Sequence, residues 1–237
     1  MTATATPLHL FKEEPMTSEL LAPSADFTDI AATLGLSPVI PVVTIQRETD
    51  AVPLAEALLR GGIPIMEVTL RSAAALGAIE AIRKDCPTMC VGAGTLWTPE
   101  QTLQAASAGA EFIVSAGIAD AVQDVTRSLK LPYLPGAQTA SEVAHLVRRG
   151  LKAAKFFPAG PGGGPAAVAA LSAVFPDVAF CPTGGVSATT APAYLKLACV
   201  PCVGGSWLAT GSLLAERNWK AVQELAQRAS QLANYKP

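Results

Sequence analysis

The feature that most constrains this chain is a rhythm. From residue 38 to residue 232, apolar runs of strand length alternate with stretches of helical spacing, and the pair recurs eight times. The strand-length runs lie at 38–44, 64–70, 89–92, 112–115, 131–134, 153–157, 178–181 and 200–203. The helical stretches lie at 50–59, 73–83, 99–108, 120–129, 140–149, 165–174, 189–197 and 216–232. Strands that are apolar throughout, each followed by a helix, argue for a parallel sheet covered by helices. Eight such units in 237 residues argue for closure into a (β/α)8 TIM barrel, an α/β fold. An extra helix over 26–36 precedes the first strand, with Ser24 or Asp26 as its cap and Gly35 near its end. An open doubly wound sheet is the alternative. The turn Gly92-Ala93-Gly94 points that way only weakly, because the third glycine of a dinucleotide fingerprint is missing.

Residues 1–24 read as a flexible N-terminal tail and 25–237 as a single (β/α)8 barrel domain. The tail is rich in Thr, Ala and Pro and has no periodicity. It lacks a charged segment followed by an apolar core, and its one basic residue is Lys12, so neither a secretory nor a transit signal is expected. The formal net charge is -2 and no basic run occurs, which argues against a nucleic-acid partner. No uninterrupted apolar run approaches the ~18 residues of a membrane helix, so no membrane partner is expected. Cys86, Cys90, Cys181, Cys199 and Cys202 make an odd set, four of them in or beside strand-length runs. They suit a reduced, cytoplasmic setting. The CxxC spacing of Cys199 and Cys202 has no second pair and no nearby His, and neither His9 nor His145 belongs to a ligand cluster. No metal is expected.

Against this apolar background a few polar groups stand out. Lys155 lies within the run Ala153-Ala154-Lys155-Phe156-Phe157. An amine there must keep its charge in a low-dielectric site or lose it, and the neutral form attacks carbonyls. The plain alternative is an ammonium that snorkels to water at a strand end. In 65–71, strand alternation separates Ile65, Glu67, Thr69 and Arg71 from Met66, Val68 and Leu70. The apolar set suits the helix side, so Glu67 and Thr69 face inward and Arg71 sits at the mouth. Glu67 is then either half of a structural ion pair, with Arg71 or Lys155, or a general acid/base beside an anion-binding arginine. By the same alternation Phe157 accompanies Lys155. Lys152 precedes its strand and belongs at the opposite end of the barrel.

Small residues follow four strands. Gly92-Ala93-Gly94-Thr95 leaves room for a ligand and offers a hydroxyl, and Ser115-Ala116-Gly117 makes a similar turn. Strand seven ends Pro182-Thr183-Gly184-Gly185 and strand eight ends Gly204-Gly205-Ser206. Glycine pairs after strands seven and eight are where barrels hold phosphate with backbone N–H groups.

Taken together, these segments resemble the bacterial 2-keto-3-deoxy-6-phosphogluconate (KDPG) aldolases. The resemblance rests on Pro38-Val39-Ile40-Pro41-Val42, Met66-Glu67-Val68-Thr69-Leu70-Arg71, Val91-Gly92-Ala93-Gly94-Thr95, Lys155-Phe156-Phe157-Pro158-Ala159, Phe180-Cys181-Pro182-Thr183-Gly184-Gly185 and Gly204-Gly205-Ser206-Trp207. It implies a metal-free class I lyase, a homotrimer of (β/α)8 barrels. Such an enzyme needs no cofactor beyond the covalent Schiff base. It would cleave a phosphorylated keto acid to pyruvate and glyceraldehyde 3-phosphate in the Entner–Doudoroff pathway. By that similarity Lys155 forms the Schiff base and Glu67 shuttles protons. Arg71 and Thr95 hold the pyruvoyl carboxylate, Phe157 packs on the pyruvoyl group, and Thr183 meets a substrate hydroxyl. Gly184, Gly185, Gly204, Gly205 and Ser206 cradle the phosphate. Two positions depart from the family pattern. Ala116 stands where a proline lines the pyruvate pocket, and Gly160 where a larger or charged residue is common. Two other readings stay open: a phosphate-binding epimerase or isomerase with Glu67 as base and Lys155 only electrostatic, or a non-catalytic sugar-phosphate-binding barrel.

Overall fold

The described part of the computed structural model spans residues 30–235. The tail expected over 1–24 lies outside it, as do the caps Ser24 and Asp26 of the first helix. That helix, α1, runs Ile30–Leu34. Strands and helices then alternate: β1 Val39–Val43, α2 Ala51–Arg60, β2 Ile65–Thr69, α3 Ala75–Asp85, β3 Cys90–Gly94, α4 Pro99–Ser107, β4 Ile113–Val114 and α5 Asp120–Ser128. Next come two short strands, β5 Tyr133–Leu134 and β6 Gly136–Ala137. There follow α6 Ala140–Arg148, β7 Ala153–Phe156, α7 Gly164–Val174, β8 Ala179–Pro182, α8 Ala191–Leu195, β9 Val203–Gly205, α9 Gly211–Ala215 and α10 Trp219–Ser230.

All strand pairings are parallel. One sheet has the order β5-β4-β3-β2-β1-β9 and the other β6-β7-β8. The two meet at both ends. Thr183, just past β8, forms a parallel bridge with Gly204 of β9. At the other end only Pro135 separates β5 from β6, and its carbonyl accepts a hydrogen bond from Lys155 N at 2.8 Å. Pro135 itself has no N–H to give a ladder, which parts β5 from β6; the sequence places a strand over 131–134 alone, so the pairing of Gly136 and Ala137 is an addition to it. The result is a curled, parallel, barrel-like sheet.

Burial follows from this arrangement. Every residue of β2 and of β7 is buried, as strands covered on both faces should be. Local chemistry sets several helix starts. Thr98 and Gln101 form a reciprocal capping box at α4, with Pro99 in the first turn. Thr139 and Glu142 do the same at α6, and Asn218 caps α10. The short α9 has no counterpart in the periodicity; it adds a wall beside the ends of β1 and β9.

Candidate active site

The carboxyl ends of β1, β2, β7, β8 and β9 open onto a cavity of ≈ 540 Å³. Its floor is an ion pair. Lys155 Nζ donates to Glu67 Oε1 at 3.1 Å and to Oε2 at 3.2 Å. Lys155 is 5% exposed and Glu67 3%. Each charge is therefore answered by the other rather than by water. Alternation along the two strands brings them together: Glu67 sits between outward-facing Met66 and Val68, and Lys155 pairs in register with Cys181 on one side and Gly136 on the other. The ion-pair alternative for Glu67 thus resolves towards Lys155 and not towards Arg71. Glycine at 94 is required here, because a Cβ at that position would overlap the Glu67 carboxylate.

Arg71 borders the same cavity and has no ion-pair partner among the described residues. Phe157 stands beside the amine, its ring centroid 5.7 Å from Lys155 Nζ. Thr183, Gly184, Gly185, Gly204 and Ser206 also line the cavity. Gly184 and Gly185 have φ values of 86° and 76°, a left-handed turn that bends the chain back over the cavity. Its position is held by the neighbouring loop: Ala159 N donates to Thr183 O and Gly160 N to Gly184 O, both at 2.8 Å.

Four of the site residues expected from sequence do not border the cavity: Glu67, which meets it through the Lys155 amine, and Gly205, Ala116 and Thr95. Gly205 faces Trp207, whose ring would meet a Cβ placed there. Ala116 packs its backbone on Gly136, the register partner of Lys155. Thr95 follows β3 with φ 68°. Lys152 precedes β7 and is exposed.

The cavity also has walls that the sequence reading passed over. Val42 and Thr44 come from the end of β1, and Thr210, Gly211, Leu214 and Ala215 from α9 and its start. Between them, the buried carboxylate of Asp50 takes Arg47 Nε at 2.7 Å and Arg217 Nε at 3.0 Å. Arg47 also donates to Leu214 O at 3.2 Å, so these ion pairs tie the β1 loop to α9. The available signal was strand alternation: Val42 and Thr44 share the inward parity of β1.

Beneath the amine, Cys202 Sγ lies 3.6 Å from Cys181 Sγ. The Cys202 hydrogen bond is the largest influence on Cys181 and lowers its pKa; burial opposes this, and the Lys155 charge adds to the lowering. No disulfide joins the cysteines, and among the described residues no group of three His, Cys, Asp or Glu could hold a metal. Among those residues, too, no helix is long and apolar enough to cross a membrane.

A buried amine, a carboxylate in contact with it, an arginine on the cavity wall and a glycine turn suit carbonyl chemistry on an anionic substrate. Comparison with known proteins agrees. The family model for KDPG and KHG aldolase matches residues 30–225. The chain is 41% identical over 191 residues to 2-dehydro-3-deoxy-phosphogluconate aldolase of Pseudomonas aeruginosa, covering 81% of this chain and 87% of that one. It is 40% identical over 202 residues to the KHG/KDPG aldolase of Escherichia coli K12, covering 85% and 95%. A crystal structure of KDPG aldolase from Legionella pneumophila, with pyruvate captured at low pH as a covalent carbinolamine intermediate, superposes with a TM-score of 0.82 at 40% identity. It covers 84% of this chain and 97% of that one. With the family model spanning most of the chain and these relatives at about two-fifths identity, this chain belongs to the KDPG and KHG aldolase family.

Proposed function

We propose that this protein is a class I aldolase that cleaves 2-dehydro-3-deoxy-6-phosphogluconate to pyruvate and glyceraldehyde 3-phosphate, working in the Entner–Doudoroff pathway. The observation that carries the reading is the buried contact between Lys155 Nζ and both oxygens of Glu67 at the base of the cavity. In that contact Glu67 can take the proton of the ammonium and free the amine. The amine adds to the C2 ketone to give a carbinolamine. Glu67 returns a proton to the departing hydroxyl, and water leaves a protonated imine. The imine draws the electrons of the C3–C4 bond, which breaks as the C4 hydroxyl gives its proton to Glu67 and becomes the aldehyde. The enamine left on Lys155 takes a proton at C3, and water then releases pyruvate.

The other roles follow the chemistry of the walls. Arg71 holds the carboxylate next to the reacting ketone, with Thr95 at the neighbouring strand end. Phe157 packs against the pyruvoyl part, and the Ala116 turn backs Gly136, the register partner of Lys155. Thr183 meets a hydroxyl of the chain. Gly184, Gly185, Gly204 and Ser206 form the phosphate end, where backbone N–H groups meet the anion, with Gly205 behind them against Trp207. The imine supplies the electron sink, so no external cofactor enters the scheme.

The same reading takes β5 and β6 as one strand, which makes the curled sheet a closed eight-stranded ring within one domain, 25–237, behind a flexible tail over 1–24. It takes the enzyme as a cytoplasmic homotrimer, for which exposed Trp97 and Leu103 offer apolar contact surface. The test is release of pyruvate from the phosphorylated keto acid, followed through lactate dehydrogenase. Turnover by the unsubstituted protein and its loss in Lys155→Ala support the reading. Turnover that survives Lys155→Ala points instead to a barrel enzyme with Glu67 as base.

A further inference from the structure

Resting on the aldolase reading, we infer that Thr44 is a specificity-determining residue, whose hydroxyl oxygen accepts a hydrogen bond from a hydroxyl on the aldehyde half of the substrate. Thr69 Oγ1 donates its single proton to Val43 O at 3.0 Å. The contact of 2.7 Å between Thr44 Oγ1 and Thr69 Oγ1 must then carry the proton of Thr44. Thr44 borders the cavity with its proton already spent inward, so it offers a ligand lone pairs alone.

Thr183 is in the same state. Its Oγ1 donates to Cys181 O at 3.2 Å, and it too borders the cavity. The cavity therefore presents two hydroxyl acceptors, at the strand ends of β1 and β8. The same walls carry the cations Arg71 and Lys155 and the glycine turn at 184–185. An acceptor pair rejects anionic groups and selects hydroxyl donors. It fits a chain that is a carboxylate and ketone at one end, a phosphate at the other, and hydroxylated between. A site that hydrogen-bonds a substrate hydroxyl discriminates through the polar groups it would otherwise leave unpaired.

The test sets two reactions of one protein against each other. Cleavage of the phosphorylated keto acid uses the hydroxylated half. Exchange of pyruvate methyl protons with deuterated water, read by NMR, uses the imine and enamine and involves no substrate hydroxyl. Their ratio is independent of the folded fraction. Thr44→Val keeps shape and removes the acceptor; it is expected to lower kcat/KM for cleavage about tenfold relative to its effect on exchange. Thr44→Ser, which restores the oxygen, is expected to hold the ratio within about twofold of the unsubstituted protein. Equal loss in both reactions would make Thr44 a packing partner of Thr69 and overturn the inference, as would no loss in either. Absence of both reactions in the unsubstituted protein would overturn the aldolase reading and this inference with it.

Discussion

Lys155 Nζ sits 3.1 Å from one oxygen of Glu67 and 3.2 Å from the other, with both residues buried. Two charges in such a place are costly to desolvate, and each is tolerable only with its partner. Lys155→Ala strands the carboxylate and is expected to cost about 3–5 kcal/mol of stability. The double change Lys155→Met with Glu67→Leu removes both charges and is expected to regain that loss, or to exceed the parent by about 1–4 kcal/mol. Urea unfolding of the three proteins decides it. A single variant as stable as the parent would mean that the pair is not held out of water.

Glu67 and Lys155 have separable tasks. Glu67→Gln keeps a hydrogen-bonding amide beside the amine and removes the group that moves protons. Turnover is expected to fall by about 10²–10⁴-fold, the usual range for a general acid/base. The end-point yield of pyruvate trapped on Lys155 should persist. Loss of the adduct in step with turnover would show that Glu67 serves only to hold the lysine.

The space under Glu67 is as constrained as the residue itself. A Cβ at position 94 would overlap its carboxylate. Gly94→Ala must therefore push Glu67 away from Lys155. Overpacking of this kind costs about 1–3 kcal/mol, and cleavage is expected to fall about 10²-fold or more, since acid/base help depends on reach. Melting temperature and steady-state turnover measure the two effects. Unchanged turnover would place the working carboxylate elsewhere.

One stability term titrates. Burial pushes the Tyr133 phenol up from 10.0 to about 12, with its hydrogen bond to Ser115 acting the other way. Above pH ~10 the unfolded chain gives up the phenol proton while the folded chain keeps it. The contribution of Tyr133 is thus whole below pH ~10 and is lost as pH rises towards 12. Two pKa steps correspond to about 3 kcal/mol. Cys90 is also pushed up by burial to about 12 and overlaps this window. Comparing Tyr133→Phe with its parent in a Cys90→Ala background isolates the phenol. The parent should lose more stability than the variant across that window in chemical unfolding. Parallel curves would contradict the burial argument.

Much of this molecule was legible from alternation alone. Two-residue periodicity in 65–71 is enough to turn Glu67 and Thr69 inward, and one lysine in an apolar run marks β7. What alternation cannot give is distance between strands far apart in sequence, so the partner of Glu67 stayed open between Arg71 and Lys155. The sequence ends the fifth strand at 134, before Pro135, and the small residues Gly136 and Ala137 carry no sign that they pair with β7. The wall formed by α9 was missed for a different reason: Gly211–Ala215 is too short to show a helical period. Thr44 escaped notice because β1 reads as an apolar run, and a threonine at a strand end is unremarkable until its proton is seen to be committed.

The account stands on the amine of Lys155 reacting with a ketone inside that cavity. Incubation with pyruvate and borohydride, followed by peptide mass spectrometry, tests it most directly. The account predicts a stable reduced adduct on the peptide that contains Lys155, absent when borohydride is omitted. An unmodified Lys155 peptide from protein that still releases pyruvate from the phosphorylated keto acid would contradict it.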